Sequence, residues 1–150
     1  MLEKNMFYML FECKNEKTRK EYKSKGMTAK QFIDKYKVYG SMLYINDFNE
    51  KCDYVKTAKF TEIKNQLDNY DFGILNLKQN PKMNREKLVH QFFEFCDKVK
   101  VSGHIFIPNS CIALFPYGDK AYELLLKLAG YILLIPKDSR RGLFAKKIKL

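Results

Sequence analysis

Tyr70-Asp71-Phe72-Gly73-Ile74-Leu75-Asn76-Leu77 is the stretch that decides the fold. From Phe72 to Leu77 it is a nearly continuous apolar run. That is the pattern of a parallel strand buried on both faces, not the alternation of a half-exposed one. Downstream, Asn84 caps a helix that carries Leu88, Val89, Phe92, Phe93, Phe95, Cys96 and Val99 at helical spacing, a wide apolar stripe. Ser102-Gly103 then predicts a turn into a strand at 104–107. Gly118-Asp119 opens another helix, with Leu124, Leu125 and Leu128 inward, and Gly130 ends it. Residues 131–135 and 143–148 read as two short strands joined by the loop 136–142.

Upstream the pattern continues less clearly. Met6-Phe7-Tyr8-Met9-Leu10-Phe11 fits a short buried strand, and 14–25 is a charged loop or solvated helix. Thr28 and Gln31 match a capping box, in which hydroxyl and amide satisfy each other's backbone donors. Phe32, Ile33, Tyr36 and Tyr39 then give one apolar helix face, and Gly40 is its natural stop. Residues 41–48 predict a strand with Asp47 at its end, 53–58 a weaker strand, and 61–69 a short polar helix or turn. The expected architecture is α/β in three layers. A mostly parallel sheet of about six or seven strands is covered on both sides and ends in an antiparallel edge hairpin.

Composition fits one domain spanning 1–150. The hydrophobic fraction is 46% and the aromatic fraction 15%, too rich for a disordered chain. No run approaches the roughly 20 apolar residues of a membrane span, and 6–11 lacks the cleavage site of a signal peptide. Cys13, Cys52, Cys96 and Cys111 form no CxxC pair, and His90 and His104 have no ligand partner nearby in sequence. No metal is expected, and reduced thiols in the cytoplasm are. The net charge of +11 is uneven: residues 1–40 contribute +5, 41–136 +1, and 137–150 +5. If the two basic ends meet, they form a patch for nucleic acid or another polyanion. Lys137, Arg140, Arg141 and Lys146 are the candidate phosphate contacts, and Tyr36 to Tyr44 interleaves aromatics with Lys35 and Lys37. Lysines, however, number 24 against 4 arginines, which lack of forks weakens base and phosphate reading.

In order and spacing, residues 70–150 resemble the C-terminal half of the class I S-adenosylmethionine-dependent methyltransferases. The matching pieces are Tyr70-Asp71 through Asn76, Val101-Ser102-Gly103 into Ile107, Leu128-Ala129-Gly130-Tyr131, and Gly142-Leu143-Phe144-Ala145-Lys146. The resemblance implies a Rossmann-like fold with S-adenosylmethionine as cofactor. The first strand is then expected at 6–11 and the second at 42–47, with Asp47 as the acid on the ribose and Asn76 beside the cofactor. The family's glycine-rich turn is missing from Glu12 to Thr18. An alternative first strand at 42–45 lacks it too, and leaves only about 25 residues before Asp71 for two strand–helix units. Asn80-Pro81-Lys82 departs from the motif of the amino-methylating members. No GxSxG or P-loop is present, and Ser110-Cys111 has no activating base in sequence.

Three readings follow. The first is a methyltransferase-like domain with a degenerate cofactor site, acting as a non-catalytic or partner-dependent subunit, with a protein partner or a second copy. The second is a basic α/β nucleic-acid-binding module. The third is a small active methyltransferase with an unusual cofactor loop.

Overall fold

The computed structural model describes residues 27–48, 52, 55–78, 84–114, 118–134 and 142–149. Met6 to Phe11, Asn80, Lys137, Arg140 and Arg141 lie outside the described residues. The elements are α1 (Ala29–Tyr36) running into a 3-10 turn (Lys37–Tyr39), β1 (Met42–Asn46), β2 (Lys56–Ala58), a 3-10 helix (Phe60–Asn65), β3 (Tyr70–Asn76), α2 (Arg85–Asp97), β4 (Val99–Ile107), the short α3 (Asn109–Ile112), α4 (Gly118–Leu128), β5 (Tyr131–Leu133) and β6 (Leu143–Lys147).

The six strands form one mixed sheet in the order β2-β1-β3-β4-β6-β5. β1 runs parallel to β2 and β3, and β3 parallel to β4, whereas β6 is antiparallel to both β4 and β5. Helices cover both faces, as an α/β architecture of three layers requires. On one face, Phe60, Ile63, Phe92, Phe95, Tyr122 and Leu125 pack from the 3-10 helix, α2 and α4. On the other, Phe32 and Ile33 of α1 pack onto Tyr44, Phe72, Ile74 and Phe106.

Local signals act where the sequence puts them. The Gln31 amide N–H donates to Thr28 Oγ1 at 3.1 Å, and the Thr28 N–H to Gln31 Oε1 at 2.9 Å, closing the capping box of α1. Asn84 Oδ1 accepts from the Glu86 N–H at 2.8 Å and so starts α2. Three expectations need correction. β4 begins at Val99, and Ser102-Gly103 is an irregularity inside that strand instead of a turn before it. Ser102 takes φ 74°, and a Cβ on Gly103 would lie 2.8 Å from the Asp71 carbonyl oxygen, so only glycine lets the two strands approach there. In α4 the inward residues are Ala121, Tyr122, Leu125 and Leu126, and Leu128 is exposed.

The third correction concerns the order of strands. β1 pairs with β3 along its whole length, from Met42↔Phe72 to Asn46↔Asn76. Nothing can lie between them. The strand that ends at Asp47 therefore holds the place expected of the first strand of the parallel set, not the second. The roughly 25 residues between β1 and β3 do not hold two strand–helix units: the described ones form a single three-residue strand, β2, and a six-residue 3-10 helix as the return path. At about 2 Å per residue, that helix spans about as much as a short strand.

Candidate functional site at the carboxyl ends of the central strands

From β1 the chain moves outward to β2, then returns past β1 to β3 and continues the other way to β4. The direction reverses between β1 and β3. In open α/β sheets the crevice outside the carboxyl ends of the strands at such a reversal is where ligands bind. Asp47 and Asn76 both stand there, and the Asp47 N–H donates to the Asn76 carbonyl at 3.2 Å.

Their side chains part to opposite faces. Asn76 Nδ2 donates to the hydroxyl of Tyr44 at 3.2 Å, and Tyr44 is buried in the α1 layer. Asp47 Oδ1 accepts the Phe60 N–H at 3.1 Å, on the α2 and α4 side. It thereby caps the first turn of the 3-10 helix, whose leading N–H groups have no partner within the helix. Asn46, almost fully buried, turns its Oδ1 onto the Phe48 N–H at 2.9 Å and shapes the exit from β1. Behind β3, the Leu77 N–H points at Cys111 Sγ at 3.5 Å, and that sulfur lies 3.7 Å from the Tyr122 hydroxyl. Burial pushes the Cys111 thiol up to about 11, and Tyr122 is raised by burial as well. Neither is an activated group, since reactivity needs a thiolate near neutral pH.

No protein-family model matches the chain, and no curated protein matches its sequence.

The other candidates are dispersed. His90 is exposed on α2 and lies 3.1 Å from Glu94, its neighbour one turn on. His104 sits in β4 between the rings of Phe72 and Phe144, at centroid distances of 5.7 and 5.1 Å. Burial first, and then Lys146, lower its pKa, so it is neutral at pH 7. Lys146 is the cross-strand partner of His104, on the α1 face and away from the strand ends. Among the described residues no three His, Cys, Asp or Glu side chains converge to hold a metal, and no helix is long and apolar enough to cross a membrane.

Lys147, one residue beyond the candidate Lys146, is not a surface cation. It is 4% exposed, and its ammonium donates to the carbonyls of Cys96 at 3.1 Å and Val99 at 2.8 Å. Strand alternation is the signal that could have found it, because Leu143, Ala145 and Lys147 share the inward face of β6.

Proposed function

We propose that the chain is a methyltransferase-like domain of Rossmann-like ancestry that does not hold S-adenosylmethionine by itself and serves as a non-catalytic or partner-dependent subunit. The order of the sheet supports the ancestry. Its parallel strands reverse direction beside β1, as in doubly wound sheets, and its final antiparallel strand is inserted before the last position.

The observation that carries the loss of the site is the bond from the Phe60 N–H to the Asp47 carboxylate. As a ribose-binding acid Asp47 fits poorly. It ends β1 and not the neighbouring strand where the resemblance would put such an acid, and one of its oxygens already serves as a helix cap. Ala58-Lys59-Phe60, which leaves β2, offers no acid in its place. The approach of a dinucleotide-like ligand to the backbone after β1 also calls for glycine. The sequence has none between Gly40 and Gly73.

Titration calorimetry with S-adenosylmethionine tests the reading. No saturable heat is expected at micromolar concentrations, while Asp47→Ala lowers the melting temperature because it removes a cap. Micromolar binding that disappears in Asp47→Ala, with the melting temperature unchanged, is the result that overturns it.

A further inference from the structure

Two features that are remote in sequence meet on the α1 face of the sheet. The Tyr39 and Tyr36 rings lie 6.1 Å apart, Tyr36 and Phe144 5.8 Å, and Phe144 and His104 5.1 Å with their planes within 16°. The result is one unbroken row of rings from the 3-10 turn after α1 to the middle of β4. Tyr39 at its outer end is 72% exposed, and Tyr36, Phe144 and His104 are half-buried. Cations flank both ends. Lys35 Nζ lies 5.4 Å from the centre of the Tyr36 ring, and Lys146 stands opposite His104 on the neighbouring strand. Among the described residues, Lys35 from the helix α1 and Lys146 from the last strand thus meet on this face. The nearby acids are already engaged: Asp34 with Lys37 at 3.9 Å, and Asp71 with Lys100 and Ser41. Exposed Ile132 and Ile148 extend the apolar floor beyond Lys146.

We propose that this strip binds single-stranded nucleic acid, with Tyr39 and Tyr36 stacking on bases and Lys35 and Lys146 reaching phosphates. Base faces are open to a flat protein surface only when the strand is unpaired, and aromatic side chains beside a basic track are the combination that holds such strands without reading sequence. The neutral imidazole of His104 continues the row without adding a charge that stacking would have to desolvate. Polyanion complementarity selects this partner over an apolar protein surface, because the strip carries lysines at both ends and no unengaged acid among the described residues. The inference is independent of the cofactor reading, since it uses a face of the sheet and not the ends of its strands.

The experiment uses the full chain and fluorescein-labelled oligothymidylate and oligouridylate, with a duplex of equal length and inorganic polyphosphate as competitors, read by anisotropy across a salt series. Single strands are expected to bind more tightly than the duplex, with affinity falling as salt rises. Tyr39→Ala should weaken single-strand binding about tenfold and leave the melting temperature unchanged, since its ring is mostly in solvent. Lys35→Gln and Lys146→Gln should each flatten the log–log salt slope by about 0.7. The proposal is overturned by absence of binding at low salt. It is equally overturned if duplex and polyphosphate compete as well as single strands and Tyr39→Ala is silent, for then net charge alone does the binding.

Discussion

Replacing Lys147 with methionine tests what a buried ammonium contributes to this fold. The stem of Lys147 lies inside the layer of α2 and α4, its Nζ bridges the carbonyls of Cys96 and Val99, and the Tyr131 ring is 5.8 Å away. Those carbonyls mark the end of α2 and the start of β4, where the helix leaves its last C=O groups without partners and its dipole favours a cation. Cys96 has a second donor, the Tyr131 hydroxyl at 2.7 Å. The two carbonyls therefore differ in what they lose when the ammonium goes.

Methionine keeps most of the volume of the stem, so little cavity is created. Hydrogen bonds to a charged donor contribute about 1.5–3 kcal/mol each. Against this stands the desolvation of the ammonium, still several kcal/mol in real proteins, which methionine does not incur. The two nearly offset, and the orphaned Val99 carbonyl decides the sign. Its unmet bond costs about 1–3 kcal/mol. The expected result is a net loss of about 2 kcal/mol, or a melting temperature lower by about 4–8 °C for a chain of this size. Urea unfolding with an unchanged slope provides the check, and Lys149→Met, at an exposed position on the same segment, is the control with no change expected. If Lys147→Met is as stable as the parent or more so, desolvation outweighs both bonds. The reasoning that makes Lys147 a structural cap of α2 then fails.

Three further outcomes follow from the same geometry. Gly130→Ala is expected to destabilise by at least about 1–2 kcal/mol, because φ is +90° and the new Cβ would lie 2.3 Å from the Lys149 carbonyl oxygen; an unchanged urea midpoint would contradict it. Asp71 has its pKa lowered first by the Lys100 ammonium and then by the Ser41 N–H, so it contributes stability above the ordinary carboxylate range that disappears as pH falls through the lowered value. Asp71→Asn should therefore be less stable than the parent at pH 7, and the gap should begin to close at about pH 4 and vanish only below the lowered value; a gap that does not narrow at all in acid refutes the assignment. In maleimide labelling followed by peptide mass mapping, Cys111 should react only after unfolding, since its thiol is fully buried and titrates near 11; rapid labelling of the native protein would show that it is not buried.

How far the sequence reached can be judged element by element. β3, α2 and their caps were legible because each depends on local patterns: an apolar run, a 3.6-residue stripe, and an asparagine whose oxygen meets N–H groups two and three residues on. The place of Met42–Asn46 was not, because pairing partners are set by long-range contacts. The spacing argument excluded two full strand–helix units before Asp71, but could not show that one short strand and a 3-10 return path would take their place. Ser102-Gly103 carries the residues of a turn, yet it relieves a close approach between β3 and β4 that no local pattern encodes. At the candidate site, the positions of Asp47 and Asn76 at strand ends were foreseeable, but their bonds to Phe60 and Tyr44 were not. Both partners come from other elements, 13 and 32 residues away in the chain.

That contrast bears on function. A strand-end crevice becomes a ligand site when its polar groups face the gap with partners still to find. Here Asp47 faces the 3-10 helix, Asn76 faces Tyr44, and Asn46 faces its own turn. The Phe60 N–H that Asp47 meets belongs to a fully buried residue, and leaving such a donor unpaired costs about 1–3 kcal/mol. A ligand entering the crevice would have to recover that cost before gaining any affinity. The α1 face has the opposite character. On it Tyr39 and Lys35 are exposed, and Tyr36 and Lys146 are half-buried above a core that contains Tyr44. The contrast is between a crevice whose polar groups hold the sheet together and a face on which Tyr39, Lys35 and Lys146 reach solvent.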